Sequence, residues 1–332
     1  MTDKIDFIIT WVDSNDLKWR EQKQQYELKY GIETSLNSEI RYRDWELLKY
    51  WFRSVEKHAP WVNKIHFVTE GHLPEWLNVN HEKLNIVKHS DYIDSEYLPT
   101  FNSNVIELNL HKIKELGNYF VNFNDDLFLN RDVTIEDFFI NGTPRDAGVF
   151  SPLVPTRGTI GANVLNNVEI INDYFSARKV IKNSFLKFFN LKYGKHLIKN
   201  FCVLPWSKIL GFYDSHVTVS YRKDICKMVY DKEQGLFDKN NEYRFRTKND
   251  ITLWLVRYWQ ICSGNFVPRS TRFGQYYNLS DDNKKILEDI RKSEHAVICL
   301  NDSDSIKDFE RVKKELLAEF ELKYPQKSLF EI

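Results

Sequence analysis

Short apolar segments that end abruptly in polar residues recur along the chain. They are rich in Ile, Val and Phe, which is typical of buried β-strands. The segments are IDFIITWV before Asp13, KIHFVT before Glu70, LNIVKHS before Asp91, YFVNF before Asn124 and AVICL before Asn301. The pattern therefore predicts a strand at each of these places, with polar side chains at its carboxyl end.

Segments with helical periodicity lie between some of these strands. Residues 44–60 predict one helix, with apolar side chains at three- and four-residue intervals at Trp45, Leu48, Phe52 and Val55. A second helix is predicted over 101–117, with Asn102 or Ser103 as the N-cap, Gly117 at the end, and Ile106, Leu110 and Ile113 buried. Further helices are predicted over 250–262, which is apolar nearly all round, and over about 306–323.

Strands that alternate with helices predict an α/β fold with a mostly parallel, Rossmann-like sheet flanked by helices. We expect a single domain over residues 1–332. It would comprise an N-terminal α/β half (1–150), an inserted helical or irregular segment (151–245) and a C-terminal part that completes the core (246–332). Ligands of open α/β sheets bind outside the carboxyl ends of the strands, where the polar residues of this chain fall.

The inserted segment has an unusual charge pattern. No acidic residue lies between Asp173 and Asp214, whereas basic and aromatic residues alternate there. The basic residues are Arg178, Lys179, Lys182, Lys187, Lys192, Lys195, Lys199 and Lys208. Such a segment either forms a solvated basic face or contacts an anionic membrane surface, and the sequence favours neither.

Whole-chain composition narrows the class of protein only slightly. The chain has 47 basic and 47 acidic residues, which argues neither for nor against nucleic acid, and we expect no nucleic-acid partner. The four cysteines show no metal-binding spacing, and no apolar window approaches the roughly 20 residues of a membrane span. We therefore expect a cytoplasmic protein, with peripheral contact to the inner face of the plasma membrane as an extension.

The adjacent acids Asp125 and Asp126 interrupt an apolar stretch, YFVNFNDDLFLN. Ionised groups in such a setting are paired, hydrated or bound to metal. Carboxylate oxygens suit Mg²⁺ or Mn²⁺, which leaves coordination positions for a phosphate. A turn with solvated carboxylates explains the pattern equally well, so both interpretations stay open.

Other candidate residues carry weaker local signals. Glu107 and His111 lie four residues apart on the predicted second helix and would share a face, either solvated or facing a substrate. Asn301 and Asp302 either cap a helix or form a second oxygen cluster at a strand end. His216 and Arg246 have no local pattern that distinguishes them from ordinary surface residues.

Common nucleotide and hydrolase motifs are absent from the sequence. It contains no P-loop, no G-x-G-x-x-G, no G-x-S-x-G and no H-E-x-x-H. This disfavours NTPases, Rossmann dehydrogenases, α/β-hydrolases and zincins. The remaining class is a metal- and phosphate-dependent enzyme that binds phosphate without a glycine-rich loop, such as a nucleotide-sugar enzyme.

Four blocks of sequence, in order over nearly the whole chain, resemble the Stealth family of hexose-1-phosphate transferases. They are IDFIITWVDSND, then RYRDWELLKYWFRSVEKHAPWVNKIHFVTEGHLPEWLN with LPTFNSNVIELNLHKI and YFVNFNDDLFL, then SHVTVSYRKD with FRTKNDITLWLVRYW, then ICLNDSDS with YPQKSLFE. The combination of WVD, HAPWV, LPTFNS and NDD is specific. The resemblance implies the fold of nucleotide-sugar transferases and the bacterial branch that builds capsules and cell-surface polysaccharides.

The resemblance also implies roles for individual residues. It places Glu107, Asp125, Asp126, His216 and Arg246 at the active centre. It assigns metal binding to Asp125 and Asp126, with Asn301 and Asp302 as further metal or nucleotide contacts. The implied substrate-binding residues are Trp11, Asp13, Arg41, Asn102, Ser103 and His111.

The reaction that the resemblance implies is transfer of a sugar-1-phosphate from a UDP-sugar to a hydroxyl of an acceptor glycan. UMP would be released, Mg²⁺ or Mn²⁺ would be the cofactor, and a phosphodiester would form in a capsular or cell-surface polysaccharide. The donor would be UDP-GlcNAc, UDP-GalNAc or UDP-Gal, and the acceptor a lipid-linked oligosaccharide. His216 and Asp126 are rival candidates for the base. A metal-dependent glycosyltransferase that releases UDP is the alternative.

Overall fold

The computed structural model describes residues 4–31, 43–156 and 159–332. Its strands are β1 (Ile5–Thr10), β2 (Ile65–Thr69), β3 (Leu84–Lys88), β4 (Tyr119–Phe123), β5 (Leu127–Leu129), β6 (Phe139–Ile140), β7 (Thr143–Asp146), β8 (Val219–Arg222), β9 (Val267–Pro268), β10 (Gly274–Asn278) and β11 (Val297–Asn301). Every strand predicted from the sequence is therefore present.

The helices cover the sheets and fill the middle of the chain. They are α1 (Leu17–Tyr30), α2 (Leu48–His58), α3 (Ser103–Leu108), α4 (Ile135–Phe138), α5 (Gly161–Tyr174), α6 (Ala177–Asn183), α7 (Phe185–Phe188), α8 (Leu197–Cys202), α9 (Lys223–Lys232), α10 (Gln234–Asn241), α11 (Trp254–Cys262), α12 (Lys284–Lys292) and α13 (Phe309–Lys323). The predictions for 44–60, 250–262 and about 306–323 are confirmed by α2, α11 and α13.

The main sheet has the strand order β3-β2-β1-β4-β8. The first four strands are mutually parallel, and β8 pairs antiparallel with β4. Its side chains alternate between two hydrophobic clusters, with Phe7 and Ile9 in one and Ile8 in the other. This arrangement confirms the predicted α/β class and the mostly parallel sheet.

A second sheet, with the order β10-β11-β5, begins where the main sheet ends. The chain leaves β4 at Phe123, turns through residues 124–126 and enters β5 at Leu127. Strand β5 then pairs antiparallel with β11, which is the predicted strand AVICL. The acids Asp125 and Asp126 therefore lie at the junction of two sheets rather than at the end of one.

The helix predicted over 101–117 is wrong in length. Helix α3 ends at Leu108, and a separate 3₁₀ turn spans Leu110–Lys112. The reason is local: the Asn109 amide donates to the carbonyl oxygen of Val105 at 2.8 Å, the acceptor that the next backbone N–H of a continuing helix would use. Glu107 and His111 consequently do not share a helical face.

Candidate active site

The turn at residues 124–126 forms the centre of the site. Asp126 is held by the neighbouring sheet, because its backbone carbonyl accepts from Leu300 N–H at 2.8 Å and its Oδ2 accepts from the Cys299 thiol at 3.2 Å. Its other oxygen, Oδ1, is buried and has no hydrogen-bond partner in the protein. A buried carboxylate oxygen left without a donor fits a cation ligand.

The two carboxylates of the turn disfavour each other's ionisation. Asp125 is exposed at the surface of the turn. Partial loss of hydration, together with the Asp126 charge, raises the pKa of Asp125 to about 7. Burial also raises the pKa of Asp126, although His216 and the Cys299 thiol act in the opposite direction. Bound Mg²⁺ or Mn²⁺ would relieve this repulsion, so the residues present fit such an ion.

Glu107, at the end of α3, belongs to the same charge cluster. Burial raises its pKa to about 7; Arg246 and His216 lower it, and Asp126 raises it further. The structure thus brings together five residues that are far apart in the sequence: Glu107, Asp125, Asp126, His216 and Arg246. Perturbed acids beside an arginine and a histidine are typical of catalytic sites.

Arg246 is positioned by the start of α3. One of its guanidinium Nη atoms donates to Ser103 Oγ. The loop that carries Arg246 is fixed by Asn102, whose amide donates to the carbonyl oxygens of Tyr243 and Phe245 at 3.3 Å and to Asp250 Oδ2 at 2.8 Å.

Asn102 has a structural role in this arrangement, and its assignment to substrate stays a prediction. Asn102 is completely buried, and its Oδ1 accepts from Asn104 N–H as the N-cap of α3. It therefore holds α3 and the Arg246 loop together, which is a structural role that the sequence did not predict. Ser103 remains partly exposed beside Arg246.

His216 adopts a strained backbone and is fixed by Asp214. Its φ is 49°, a left-handed value that is uncommon for a residue other than glycine. Its backbone N–H donates to Asp214 Oδ1 at 2.8 Å, and its Nδ1 lies 3.1 Å from Asp214 Oδ2. Burial alone would lower the pKa of His216, but Asp214, Asp126 and Glu107 together raise it.

A buried ion-pair chain lies behind His216. Arg257 Nη1 is 3.7 Å from Asp214 Oδ1, and Arg257 also makes a bidentate contact with Asp146, at 2.7 and 2.8 Å. These residues orient the histidine and were missed from the sequence. A signal was present, because an arginine within the nearly all-apolar segment 250–262 requires a buried partner.

Trp11 and Asp13 occupy the loop after β1, at the carboxyl edge of the main sheet. The Trp11 ring stacks on Phe67 and meets the edge of His72, with centroid separations of 5.6 and 5.3 Å. Asp13 donates its backbone N–H to His72 Nε2 at 2.8 Å. Both side chains are partly exposed, and their assignment to substrate stays a prediction.

The carboxylate of Asp302 forms an ion pair with Arg43. Its two carboxylate oxygens accept from Arg43 Nε and Nη2 at 2.8 and 2.5 Å, and Oδ2 also accepts from Trp45 Nε1. Asn301 donates its amide to Asn278 Oδ1 at 2.8 Å. The metal prediction for Asn301 and Asp302 is therefore not supported by their contacts, because Arg43 already neutralises the carboxylate.

His111 lies in a separate turn from the charge cluster. His111 is buried in the 3₁₀ turn, lies 3.0 Å from the carbonyl oxygen of Leu108 through its Nδ1 and packs on Tyr230, and burial lowers its pKa to about 4. These contacts give His111 a structural setting, and its assignment to substrate stays a prediction. Arg41 lies outside the described residues.

Neither a larger metal-binding cluster nor a membrane-spanning helix occurs in the part of the chain that the structure covers. Residues 4–31, 43–156 and 159–332 contain no cluster of three or more His, Cys, Asp or Glu side chains arranged to hold a metal ion. Within the same ranges, no helix has the length and hydrophobicity needed to cross a bilayer.

Comparison with known proteins connects the chain to one family. Residues 3–31 match Stealth protein CR1, conserved region 1, and residues 41–146 match Stealth protein CR2, conserved region 2. The chain is 53% identical over 329 residues to the capsular polysaccharide phosphotransferase WcwK of Streptococcus pneumoniae, over 99% of this chain and 98% of that protein.

A more distant relative matches over the same length. The receptor polysaccharide phosphotransferase WefC of Streptococcus gordonii is 38% identical over 335 residues, over 100% of both chains. Among solved structures, the galactosyltransferase LgtC in complex with donor and acceptor sugar analogs has 9% identity and a TM-score of 0.42, over 98% of this chain and 97% of that one.

Proposed function

Since the chain belongs to the Stealth family and is a polysaccharide phosphotransferase by its relatives, we propose that it transfers a sugar-1-phosphate from a UDP-sugar to a glycan hydroxyl. The donor is UDP-GlcNAc, UDP-GalNAc or UDP-Gal, and the acceptor is a lipid-linked oligosaccharide. The observation that carries this proposal is the convergence of Glu107, Asp126 and His216 with Arg246. A histidine base beside a cation and paired acids suits phosphoryl transfer.

The reaction begins at the acceptor hydroxyl. Its oxygen attacks the phosphorus that carries the sugar, the bond between that phosphorus and the bridging oxygen breaks, and UMP leaves with the bridging oxygen. His216 takes the hydroxyl proton on Nε2, because the Nδ1 side of the ring is oriented by Asp214. The protonated ring is then stabilised by the carboxylates that raise its pKa.

The remaining residues position the donor and compensate its charge. Arg246 stabilises negative charge on the transferring phosphoryl group, and Ser103 keeps its guanidinium in place. Glu107 accepts hydrogen bonds from sugar hydroxyls. Asp125 and Asp126 would hold Mg²⁺ or Mn²⁺, which when bound neutralises diphosphate charge.

The released nucleotide tests this proposal directly. Purified protein, Mg²⁺, a panel of UDP-sugars and a lipid-linked acceptor are incubated, and products are read by mass spectrometry. We expect UMP and a sugar–phosphate–sugar diester, with turnover lost in Asp126→Asn and His216→Asn. Release of UDP would instead identify a glycosyltransferase that attacks the anomeric carbon, and would overturn the proposal.

The helical unit α6–α8 supplies a surface for reaching a lipid-linked acceptor. Several of its large apolar side chains are exposed to solvent, with Leu186 at 78% and Leu191 at 88%. The others are Phe185, Ile198 and Phe201, and Leu204 and Trp206 follow just after α8. The basic residues of 178–208 accompany them without an intervening acid, which is the pattern of a protein that docks on an anionic bilayer.

The same unit adjoins the active centre. His196 packs on the Tyr213 ring at a centroid distance of 4.4 Å, and Lys199 lies over that ring. Tyr213 precedes Asp214, the residue that orients His216. Docking of α6–α8 on the inner face of the plasma membrane therefore brings His216 near the surface where a lipid-linked acceptor resides.

Vesicle sedimentation tests this docking. The protein is mixed with vesicles that contain phosphatidylglycerol, and with vesicles of pure phosphatidylcholine. We expect selective binding to the first, and loss of binding in the triple variant Leu186→Ser, Leu191→Ser, Ile198→Ser. The matched control carries Leu28→Ser, Leu322→Ser and Leu329→Ser, which are equally exposed elsewhere. Equal binding by both triple variants would refute the assigned surface.

A further inference from the structure

A second polar cavity lies apart from the acidic cluster. Its volume is about 340 Å³, and its wall carries Arg131, Arg145, Arg269 and Arg272 together with Asp137 and Glu294. Four guanidinium groups against two carboxylates leave the cavity with an excess of positive charge. Nothing in the proposed reaction uses these arginines.

The cavity is at the far end of the second sheet from Asp126. The carboxyl end of β11 contacts Asp126 through Leu300, whereas its amino end is flanked by Ala296, which donates its N–H to the carbonyl oxygen of Phe273 at 2.9 Å. Phe273 lines the cavity. Strand β11 has 5 residues, so at about 3.3 Å per residue the two sites are separated by roughly 15 Å.

The arginines of the cavity are poorly compensated. Arg269 is only 6% exposed, donates from Nη2 to the carbonyl oxygen of Thr218 at 3.2 Å, and has a buried Nη1 without a hydrogen-bond partner. Arg145 donates to the carbonyl oxygens of Glu136 and Pro268, and its buried Nε is also unsatisfied.

Carboxylates in the described part of the chain do not form ion pairs with these four arginines. Among the ion pairs found in residues 4–31, 43–156 and 159–332, none joins one of the four arginines to an acid. Asp137 is engaged as an N-terminal cap, accepting from Thr134 N–H at 2.9 Å. Burial lowers the pKa of Arg269 to about 10; the nearby Arg257 and Arg145 act in the same direction, and the charges of Asp146 and Asp137 oppose them. Arg269 is the buried cation of this set; it lies over the Phe273 ring at 4.4 Å but forms no ion pair with a carboxylate of the described residues. A buried charge without a counter-charge is costly, so the arrangement is best explained by an anion that completes it.

We propose that this cavity binds a phosphate group of a ligand distinct from the donor in the active centre. Guanidinium forks match phosphate oxygens in planar, paired geometry, which lysine would not reproduce. The volume lies near the lower limit of about 300 Å³ for small-molecule pockets, so it accommodates a phosphate and part of the group attached to it.

The phosphate has two chemically equivalent sources. Soluble phosphates and diphosphates are one, and the headgroup of a membrane lipid is the other. The second is favoured by contacts with the basic helical segment, because Lys192 Nζ lies 3.5 Å from the carbonyl oxygen of Pro268 and Thr271 Oγ1 donates to that of Tyr193 at 3.4 Å.

Calorimetric titration with inorganic pyrophosphate, without divalent cations and with a chelator present, tests the soluble source. All proteins carry Arg246→Ala, which removes the arginine of the candidate active centre and makes this test independent of the proposed function. We expect Arg131→Ala with Arg272→Ala to weaken binding about tenfold or more. Both residues are exposed, so folding is retained, as checked by circular dichroism. The control, Lys227→Ala with Lys239→Ala, removes the same charge elsewhere.

Vesicle binding tests the lipid source with the same proteins. Weaker binding of the arginine double variant than of the lysine control to phosphatidylglycerol vesicles supports the cavity as a headgroup site. A difference in pyrophosphate binding supports it as a site for soluble phosphate. If neither pyrophosphate nor the vesicles distinguish the two double variants, the proposal is overturned.

Discussion

At the scale of single residues, the site contains ionisable groups whose pKa values are shifted by lost hydration and by neighbouring charges. Two of its acids have pKa values raised to about 7, and its histidine has a pKa raised by neighbouring carboxylates. A protein tolerates such strain where the groups serve chemistry. Asp214 orients the His216 ring and raises its pKa, as the proposed role of His216 as a base requires.

Replacement of Asp214 by Asn should reduce kcat by about 100-fold or more, because the imidazole loses the acceptor that fixes its tautomer. The pKa of His216 should also fall, since Asp214 is its main charge partner. The acidic limb of the pH–rate profile should therefore move to lower pH. The control is Asp231→Asn, an exposed acid on α9. An unchanged pH profile would show that Asp214 does not act through His216.

Replacement of Glu107 by Gln should abolish activity and increase stability at alkaline pH. The folded-state pKa of about 7 is above the model-peptide value of 4.5, so the folded protein retains this proton more strongly than the unfolded chain. That contribution is fully present below about pH 4.5 and is lost as pH rises through 7. Urea unfolding without metal should show a gain of about 1–3 kcal/mol at pH 8 and little at pH 5. Equal gains at both pH values would contradict the burial argument.

At the scale of secondary structure, the site is assembled by short elements fixed through asparagine side chains. Asn102 joins α3 to the Arg246 loop, and Asn109 ends α3 so that His111 turns away. The predicted long helix would have carried Glu107 and His111 on one face. The observed break shows that one side-chain amide outweighs apolar periodicity when it takes the backbone acceptor.

Replacement of Asn102 by Ala should lower both stability and turnover. Loss of a buried amide that makes several hydrogen bonds should cost about 2 kcal/mol or more, and kcat should fall because Arg246 loses its support. Asp308→Ala is the matched control, since Asp308 caps α13 away from the site. It should cost about 1 kcal/mol without a change in kcat. Normal kcat in Asn102→Ala would mean that Arg246 is held by other contacts.

At the scale of the whole molecule, contacts between residues that are far apart in sequence hold the elements around the site together. Strand β8 from the middle segment completes the main sheet, and β11 from the C-terminal part fixes Asp126. The C-terminus returns to α2, where Arg53 makes a bidentate contact with Glu331, at 2.8 Å through both pairs of atoms. The division into 1–150, 151–245 and 246–332 stays a prediction.

Replacement of Glu331 by Gln should destabilise the protein by up to about 3 kcal/mol, because buried Arg53 loses its bidentate partner and keeps only the half-exposed Glu321 carboxylate at 3.2 Å. Arg53 lowers the pKa of Glu331 against the effect of burial, so wild-type stability from this pair should be present above about pH 4.5 and decline at lower pH. Urea unfolding at pH 7 and pH 4 measures both effects. The exposed pair Lys292–Glu288 provides the control, and Glu288→Gln should have a much smaller effect. Similar losses in the two variants would contradict a specific role for the C-terminal contact.

The sequence by itself determined five of the strands (β1 to β4 and β11), three of the long helices and the α/β class, because apolar periodicity and strand-end acids are local signals. It also identified, through family resemblance, the five residues of the charge cluster. Tertiary structure decided what the local pattern does not encode. It determines which acids lie close to one another, which acids are neutralised by an arginine, and which histidine faces the site. Asp302 looked like Asp126 in sequence, yet Arg43 neutralises it, whereas Asp126 keeps an unsatisfied oxygen.

The support behind His216 is the clearest example of this division. Asp214, Arg257 and Asp146 come from a loop, a helix and a strand that the sequence places far apart, and only packing joins them. The cavity formed by Arg131, Arg145, Arg269 and Arg272 arises in the same way. The physical reason is that electrostatic partnership depends on distance and burial in space, which hydrophobic periodicity along the chain does not specify.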